Sequence, residues 1–73
     1  MSNIKVKEII FVVKESDEGG YEAEALGHRI YTEADEINLL KKNIKEAVEC
    51  HFENDELPKT ILLHYVKEEI LSL

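Results

Sequence analysis

Three histidines and one cysteine are the side chains of this sequence best suited to metal binding or nucleophilic catalysis. They are His28, His51, His64 and Cys50. Their spacing matches no metal-ligand motif, and neighbours such as Cys50 and His51 point about 100° apart on a helix. A catalytic thiol also requires a base held beside it, and the sequence indicates none. We therefore expect no catalytic, cofactor-binding or metal-binding residue. We expect a partly exposed thiol at Cys50 and a hydrogen-bonded histidine at the core edge at His51.

Acidic side chains form the other group that could act chemically. Asp17 and Glu18 lie in a predicted turn, and Glu22 and Glu24 alternate with apolar residues along the strand that follows. A hydrolase with paired carboxylates needs a pocket that gives its two acids different environments, and a domain this small has little room for one. Two interpretations stay open: a solvated face, or a surface that docks onto Lys and Arg of another protein. The candidate partner-binding residues are Asp17, Glu18, Glu22 and Glu24.

Length and charge limit the classes of function further. The chain has 73 residues, and nine Lys and Arg against 16 Asp and Glu give a net charge of -7. This length suits one small domain, residues 1–73, and the negative charge argues against direct contact with nucleic acid, because phosphates are bound by Lys and Arg. No apolar run reaches the roughly 20 residues of a membrane helix, and a lone cysteine suits the reducing cytoplasm. We expect a cytoplasmic protein that is not an enzyme and binds neither membrane nor nucleic acid.

The hydropathy pattern predicts the elements that must position these residues. Strands are predicted at about 4–15, 21–25, 28–31 and 60–66. An amphipathic helix is predicted to begin after Thr32 or Asp35, the two candidate N-caps, and to end near Glu53. The predicted fold is α+β, an antiparallel sheet with one helix in the order β-β-β-α-β.

The first and last predicted strands are apolar on both faces, which one helix cannot satisfy. A single helix covers only one face of a four-stranded sheet. Because a large exposed apolar patch usually marks an interface, we expect the chain to associate with itself as a homodimer or larger oligomer. The apolar residues near the end of the sequence, Ile70, Leu71 and Leu73, are the candidate oligomer interface.

Several of these segments resemble the HicB-like antitoxin superfamily, and more closely a compact subfamily with a single domain. The resemblance covers nearly the whole chain and implies a partial ferredoxin-like fold of three strands, one helix and a fourth strand. Ala34 and Glu36 depart from the Gly and Thr that often precede the helix in the superfamily. The stretches that carry the resemblance are Ala25-Leu26-Gly27-His28, Thr32-Glu33-Ala34-Asp35, Cys50-His51-Phe52 and Leu63-His64-Tyr65-Val66.

The resemblance also implies a partner. Antitoxins of this superfamily neutralise a small basic HicA-type toxin, a ribonuclease with a double-stranded-RNA-binding-like fold that acts through a histidine. Many also carry a C-terminal DNA-binding segment, which we do not expect here because the sequence stops just after its last strand. The resemblance therefore implies an antitoxin-like protein that binds and neutralises a basic toxin. The alternative is a stand-alone structural or regulatory subunit with no toxin partner.

Similar proteins sometimes bear the name of a 2-oxoisovalerate dehydrogenase subunit. That chemistry requires a thiamine diphosphate site, and this sequence has no glycine motif that binds phosphate. We therefore do not expect dehydrogenase activity from this chain.

Overall fold

The structure, a computed structural model, describes residues 7–73 and confirms an α+β fold with the element order β-β-β-α-β. The second and fourth strands have the predicted bounds, whereas the predicted residues 4–6 of the first strand lie outside the described part. The elements are β1 (Glu8–Glu15), β2 (Tyr21–Ala25), β3 (Tyr31–Ala34), α1 (Ile37–His51), a short 3-10 turn (Asn54–Glu56) and β4 (Thr60–Val66).

The strands form one four-stranded sheet in the order β3-β2-β1-β4. β1 pairs with β2, and β2 with β3, in antiparallel register, whereas β4 pairs with β1 in parallel. The sheet is therefore mixed rather than antiparallel throughout. The chain reverses direction between β1 and β2 and again between β2 and β3, so β3 runs in the same direction as β1. α1 then carries the chain back to the end of the sheet where β1 begins, and β4 therefore runs parallel to β1. Glu8 consequently lies opposite Thr60, the first residue of β4.

The third strand lies later in the sequence than predicted. The prediction of a strand at 28–31 was wrong, because residues 26–30 form the loop that joins β2 to β3. The Ala25 amide donates a hydrogen bond to the Ile30 carbonyl oxygen (3.0 Å), which closes this loop. β3 therefore begins at Tyr31.

The start of α1 also differs from the sequence prediction. Thr32 belongs to β3 and Asp35 precedes the cap position, so neither residue caps the helix. The N-cap is Glu36, which has an extended backbone and makes no side-chain cap hydrogen bond. Its carbonyl oxygen accepts the first helical bond from the Leu40 amide (2.9 Å).

The hydrophobic core lies between α1 and one face of the sheet. Three buried residues at helical spacing, Leu40, Ile44 and Val48, form the inner side of α1. The Asn43 side-chain amide donates to the Glu33 carbonyl oxygen (3.4 Å), which links the helix to β3. The other buried core residues are Ile9, Phe11, Val13, Ala23, Ala25 and Ile30.

The opposite face of the sheet, which we call the open face, carries the second apolar surface that the sequence predicted for β1 and β4. Ile10 and Val12 of β1 are half-buried there. Leu62 and Val66 of β4 are 36% and 44% exposed. Among residues 7–73, no helix has the length and hydropathy needed to cross a membrane.

Candidate protein-binding surface

The open face divides into an acidic half and an apolar half. On β2, the side chains that alternate with the buried Ala23 and Ala25 point to the open face. Residues paired in register share a face, so their partners on β3 point to the open face as well. We call these side chains the acidic sector: Glu22, Glu24, Tyr31 and Glu33. The neighbouring β1 and β4 contribute the apolar sector: Ile10, Val12, Leu62 and Val66.

Two glutamates of the acidic sector stand directly opposite each other. Glu22 of β2 pairs with Glu33 of β3, and Glu24 pairs with Tyr31. Like charges directly opposite on neighbouring strands destabilise a sheet. On its other side Glu22 faces Lys14 of β1, so one positive charge stands beside the three carboxylates. A cationic ligand would relieve this repulsion, which makes the acidic sector a candidate site for a basic partner.

Tyr31 places a hydroxyl group among these carboxylates. Its side chain is 55% exposed. Partial desolvation, together with the negative charges of Glu22 and Glu33, raises the pKa of the Tyr31 hydroxyl above its ordinary value of 10.0. The hydroxyl therefore stays protonated at neutral pH and can donate a hydrogen bond. The sector thus presents one donor and several charged acceptors to a ligand.

The two sectors meet at a concavity that is partly open to solvent. Its walls include Val12 and Lys14 of β1 and the two glutamates of β2, Glu22 and Glu24. A basic side chain entering it would contact the carboxylates while its aliphatic part lies against Val12. The concavity is therefore a suitable anchor point for Lys or Arg of another protein.

The structure brings together two of the four predicted partner-binding residues. Glu22 and Glu24 share the acidic sector, whereas Asp17 and Glu18 are exposed in the turn between β1 and β2. In that turn the Glu18 amide donates to the Ser16 hydroxyl oxygen (3.3 Å).

Sequence reasoning missed Glu33 and Tyr31, because it placed the third strand too early. The signal that could have found them is the alternation of Tyr31 and Glu33 with the smaller Thr32 and Ala34, which continues to the end of β3. This alternation puts the two larger polar side chains on one face of the strand.

Two of the three histidines contribute to a small cluster of rings that the sequence did not indicate, whereas His64 lies in β4. His28, His51 and Phe52 meet edge to face, with ring centroids 4.9 to 5.6 Å apart. His51 is exposed, so its predicted position at the core edge was wrong. Cys50 is confirmed as an exposed free thiol. Within the described part of the chain, no three His, Cys, Asp or Glu side chains group as metal ligands.

The predicted oligomer residues lie in the segment 67–73, which follows β4. Ile70 and Leu71 are 92% and 79% exposed, and Leu73 is also exposed. No helix or strand is formed by this segment.

Comparison with known proteins gives two close relatives. A protein of Archaeoglobus fulgidus is 53% identical over 55 residues, which cover 75% of this chain and 82% of that protein. A protein of Thermotoga maritima is 36% identical over 67 residues, which cover 92% of this chain and 94% of that protein. Both are UPF0150 proteins. The chain belongs to the UPF0150 family.

The UPF0150 name states no activity, substrate or partner. No protein-family model matches the sequence, and no solved structure matches it significantly.

Proposed function

We propose that this chain is an antitoxin-like binding module whose acidic sector binds and blocks a small basic ribonuclease of the HicA type. One observation carries the proposal, namely the pairing of Glu22 opposite Glu33 on the open face, beside Glu24. Such a pair weakens the free sheet, and contact with Lys or Arg converts the repulsion into charge-assisted hydrogen bonds.

Charge also supports this class of partner. A net charge of -7 accelerates encounter with a basic protein and opposes encounter with RNA itself. The carboxylates of the sector would occupy the positions that RNA phosphates take on the toxin. Asp17 and Glu18, exposed in the turn before β2, would extend the negative surface beyond the sector. The module would thus act by occlusion, without chemistry of its own.

The test is co-expression with a short neighbouring reading frame that encodes a basic protein with a double-stranded-RNA-binding-like fold and a histidine. Co-elution on size exclusion and recovery of cell growth would support the proposal. Absence of a complex, or continued toxicity, would refute it.

A charge-matched pair of variants tests the location of the site. The sector variant replaces Glu22, Glu24 and Glu33 by Gln, and the control replaces the exposed Glu46, Glu49 and Glu53 by Gln. Both change the net charge equally. At about 0.5 to 1 kcal/mol per exposed ion pair, the loss of three pairs in the sector variant should weaken toxin binding roughly 10- to 150-fold. Equal weakening by both variants would show that only net charge matters and that the sector is not the site.

The second candidate, a self-associating structural or regulatory subunit with no toxin partner, is favoured by the exposed apolar segment after β4. Ile70 and Leu71 are more exposed than any apolar side chain in β1–β4. A stable oligomer that neither binds the neighbouring protein nor restores growth would favour this function over toxin neutralisation.

A further inference from the structure

The segment 67–73, which we call the arm, is apolar where it is most exposed. Its exposed apolar residues are Ile70, Leu71 and Leu73. The residues between β4 and these side chains are Lys67, Glu68 and Glu69, none of which favours a tight turn. The arm therefore has no sequence signal to fold back on its own sheet, and its apolar side chains require a surface elsewhere.

β4 offers such a surface at its outer edge. It is an edge strand, and within residues 7–73 its only neighbour is β1. An uncovered edge strand presents unpaired amide and carbonyl groups that can pair with another chain. β4 contains seven residues from Thr60 to Val66, without Pro or a bulge to interrupt pairing.

Both faces of β4 beside this edge are incompletely covered. On the open face lie Leu62 and Val66, which are partly exposed. On the core face Tyr65 is 57% exposed, and Ile61 is only half-buried, because α1 packs mainly against β2 and β3. An added strand must therefore bring apolar side chains to both faces.

The arm has the matching two-sided pattern if it continues the strand geometry of β4. Residues alternate between faces, so Ile70 would share the open face with Leu62, and Leu71 would share the core face with Ile61. The arm thus supplies one apolar side chain for each incompletely covered face.

We propose that the arm of each chain pairs antiparallel with the outer edge of β4 in a second copy, which gives a dimer with twofold symmetry. The arm directly follows β4 in each chain. A twofold axis therefore pairs the arm of each copy with β4 of the other copy, and neither arm is left unpaired. A register centred on Val66 opposes no like charges, whereas shifting the centre to Lys67 sets Lys67 against itself. The cross-strand pairs in the proposed register are Val66 with Val66, Tyr65 with Lys67, His64 with Glu68, Leu63 with Glu69, Leu62 with Ile70 and Ile61 with Leu71.

Paired cysteines test the register. In a Cys50→Ser background, Leu62→Cys combined with Ile70→Cys should give a covalent dimer under mild oxidation, because Cα atoms of directly opposite residues lie about 4.5 to 5.5 Å apart, within the range of a disulfide. The control combines Leu62→Cys with Leu71→Cys, which the proposal places on opposite faces. Equal crosslinking of both pairs, or of neither, would overturn the proposed pairing.

Sedimentation at micromolar concentration tests the dimer itself. The unaltered chain should be a dimer, and Ile70→Asp should weaken dimerisation about tenfold or more, because the side chain loses its apolar contacts. The control is Leu39→Asp at an exposed leucine of α1, which should leave the dimer intact. A monomeric parent chain, or an Ile70→Asp variant that dimerises as well as the parent, would refute the exchange of arms. These outcomes do not depend on toxin binding.

Discussion

Gly20, at the end of the turn between β1 and β2, should be the glycine least tolerant of substitution. Its backbone has φ of +80°, and a Cβ built on it would lie 2.8 Å from the Ala34 carbonyl oxygen and 3.2 Å from the Asp35 Cα. Both neighbouring atoms belong to the backbone at the junction of β3 and α1, so neither can move away without shifting an element. The adjacent Gly19 is a matched control, since its φ is +94° and nothing lies within 4 Å of the corresponding Cβ.

Comparing Ala variants at the two glycines separates two costs in the free energy of unfolding, that of a positive φ and that of a steric clash at the added Cβ. Ala at a left-handed position costs about 1 to 2 kcal/mol, and this applies to both Gly19→Ala and Gly20→Ala. Overpacking adds about 1 to 3 kcal/mol at Gly20 alone. We expect losses of about 1 to 2 kcal/mol for Gly19→Ala and about 2 to 5 kcal/mol for Gly20→Ala. The larger loss is a substantial part of the roughly 4 to 11 kcal/mol typical of a 73-residue domain.

Urea unfolding followed by circular dichroism, at one protein concentration, measures both losses. With a slope of about 1 kcal/mol per molar urea, the two midpoints should differ by about 1 to 3 M. If Gly20→Ala is unfolded in buffer, adding sucrose to all samples restores a measurable transition. Equal midpoints for the two variants would refute the inference that the turn packs tightly against the junction of β3 and α1.

Two further predictions concern the core and the acidic sector. Leu40→Ala should destabilise the chain by about 2.7 to 5 kcal/mol, because Leu40 is fully buried. Leu39→Ala, at a neighbour that is 46% exposed, should cost less than about 1 kcal/mol. Similar urea midpoints for the two variants would contradict this position of α1. Replacing both Glu22 and Glu33 by Gln should lower the pKa of Tyr31, which NMR of labelled tyrosine measures, while Glu46→Gln should leave it unchanged. Because the pKa of Tyr31 is raised in the folded chain, its contribution to stability is present below pH 10.0 and is lost as the pH rises through the folded pKa. An unchanged pKa in the double variant would contradict the inference that the charges of Glu22 and Glu33 raise it.

The strands and helix with strong local patterns were predictable from the sequence. β2 alternates strictly, β4 is rich in β-forming residues with apolar side chains on both faces, and the apolar residues of α1 recur at helical spacing, so local chemistry decides these elements. β3 was misplaced because Thr32 has the chemistry of a helix cap, while its pairing with Ala23 of β2 decides its conformation. Propensity was overridden by a tertiary contact in this case.

The candidate site was predictable only in part, for the same physical reason. The alternation of Glu22 and Glu24 shows in the sequence, but the opposition of Glu22 and Glu33 depends on the register between two strands. The contact between His28 and His51 likewise joins a loop to the end of α1, and no local pattern encodes it. Residues that meet through pairing or packing carry no signal of that meeting in a single sequence.

The acidic sector and the outer edge of β4 lie towards opposite edges of the sheet, so the two proposed interactions do not compete. The sector occupies β2 and β3, whereas the edge is separated from β2 by β1. In the dimer, six strand spacings of about 4.8 Å would separate the two sectors, which is roughly 30 Å and similar to the diameter of a small domain. Each sector could therefore bind its own basic partner without collision.

This geometry predicts a complex with two copies of each protein, which light scattering coupled to size exclusion measures. The Ile70→Asp variant should form a complex with one copy of each and with unchanged affinity per site, because its acidic sector remains intact. If Ile70→Asp abolished toxin binding instead, the two surfaces would be coupled. The partner would then have to contact the arm or the edge of β4 as well as the glutamates.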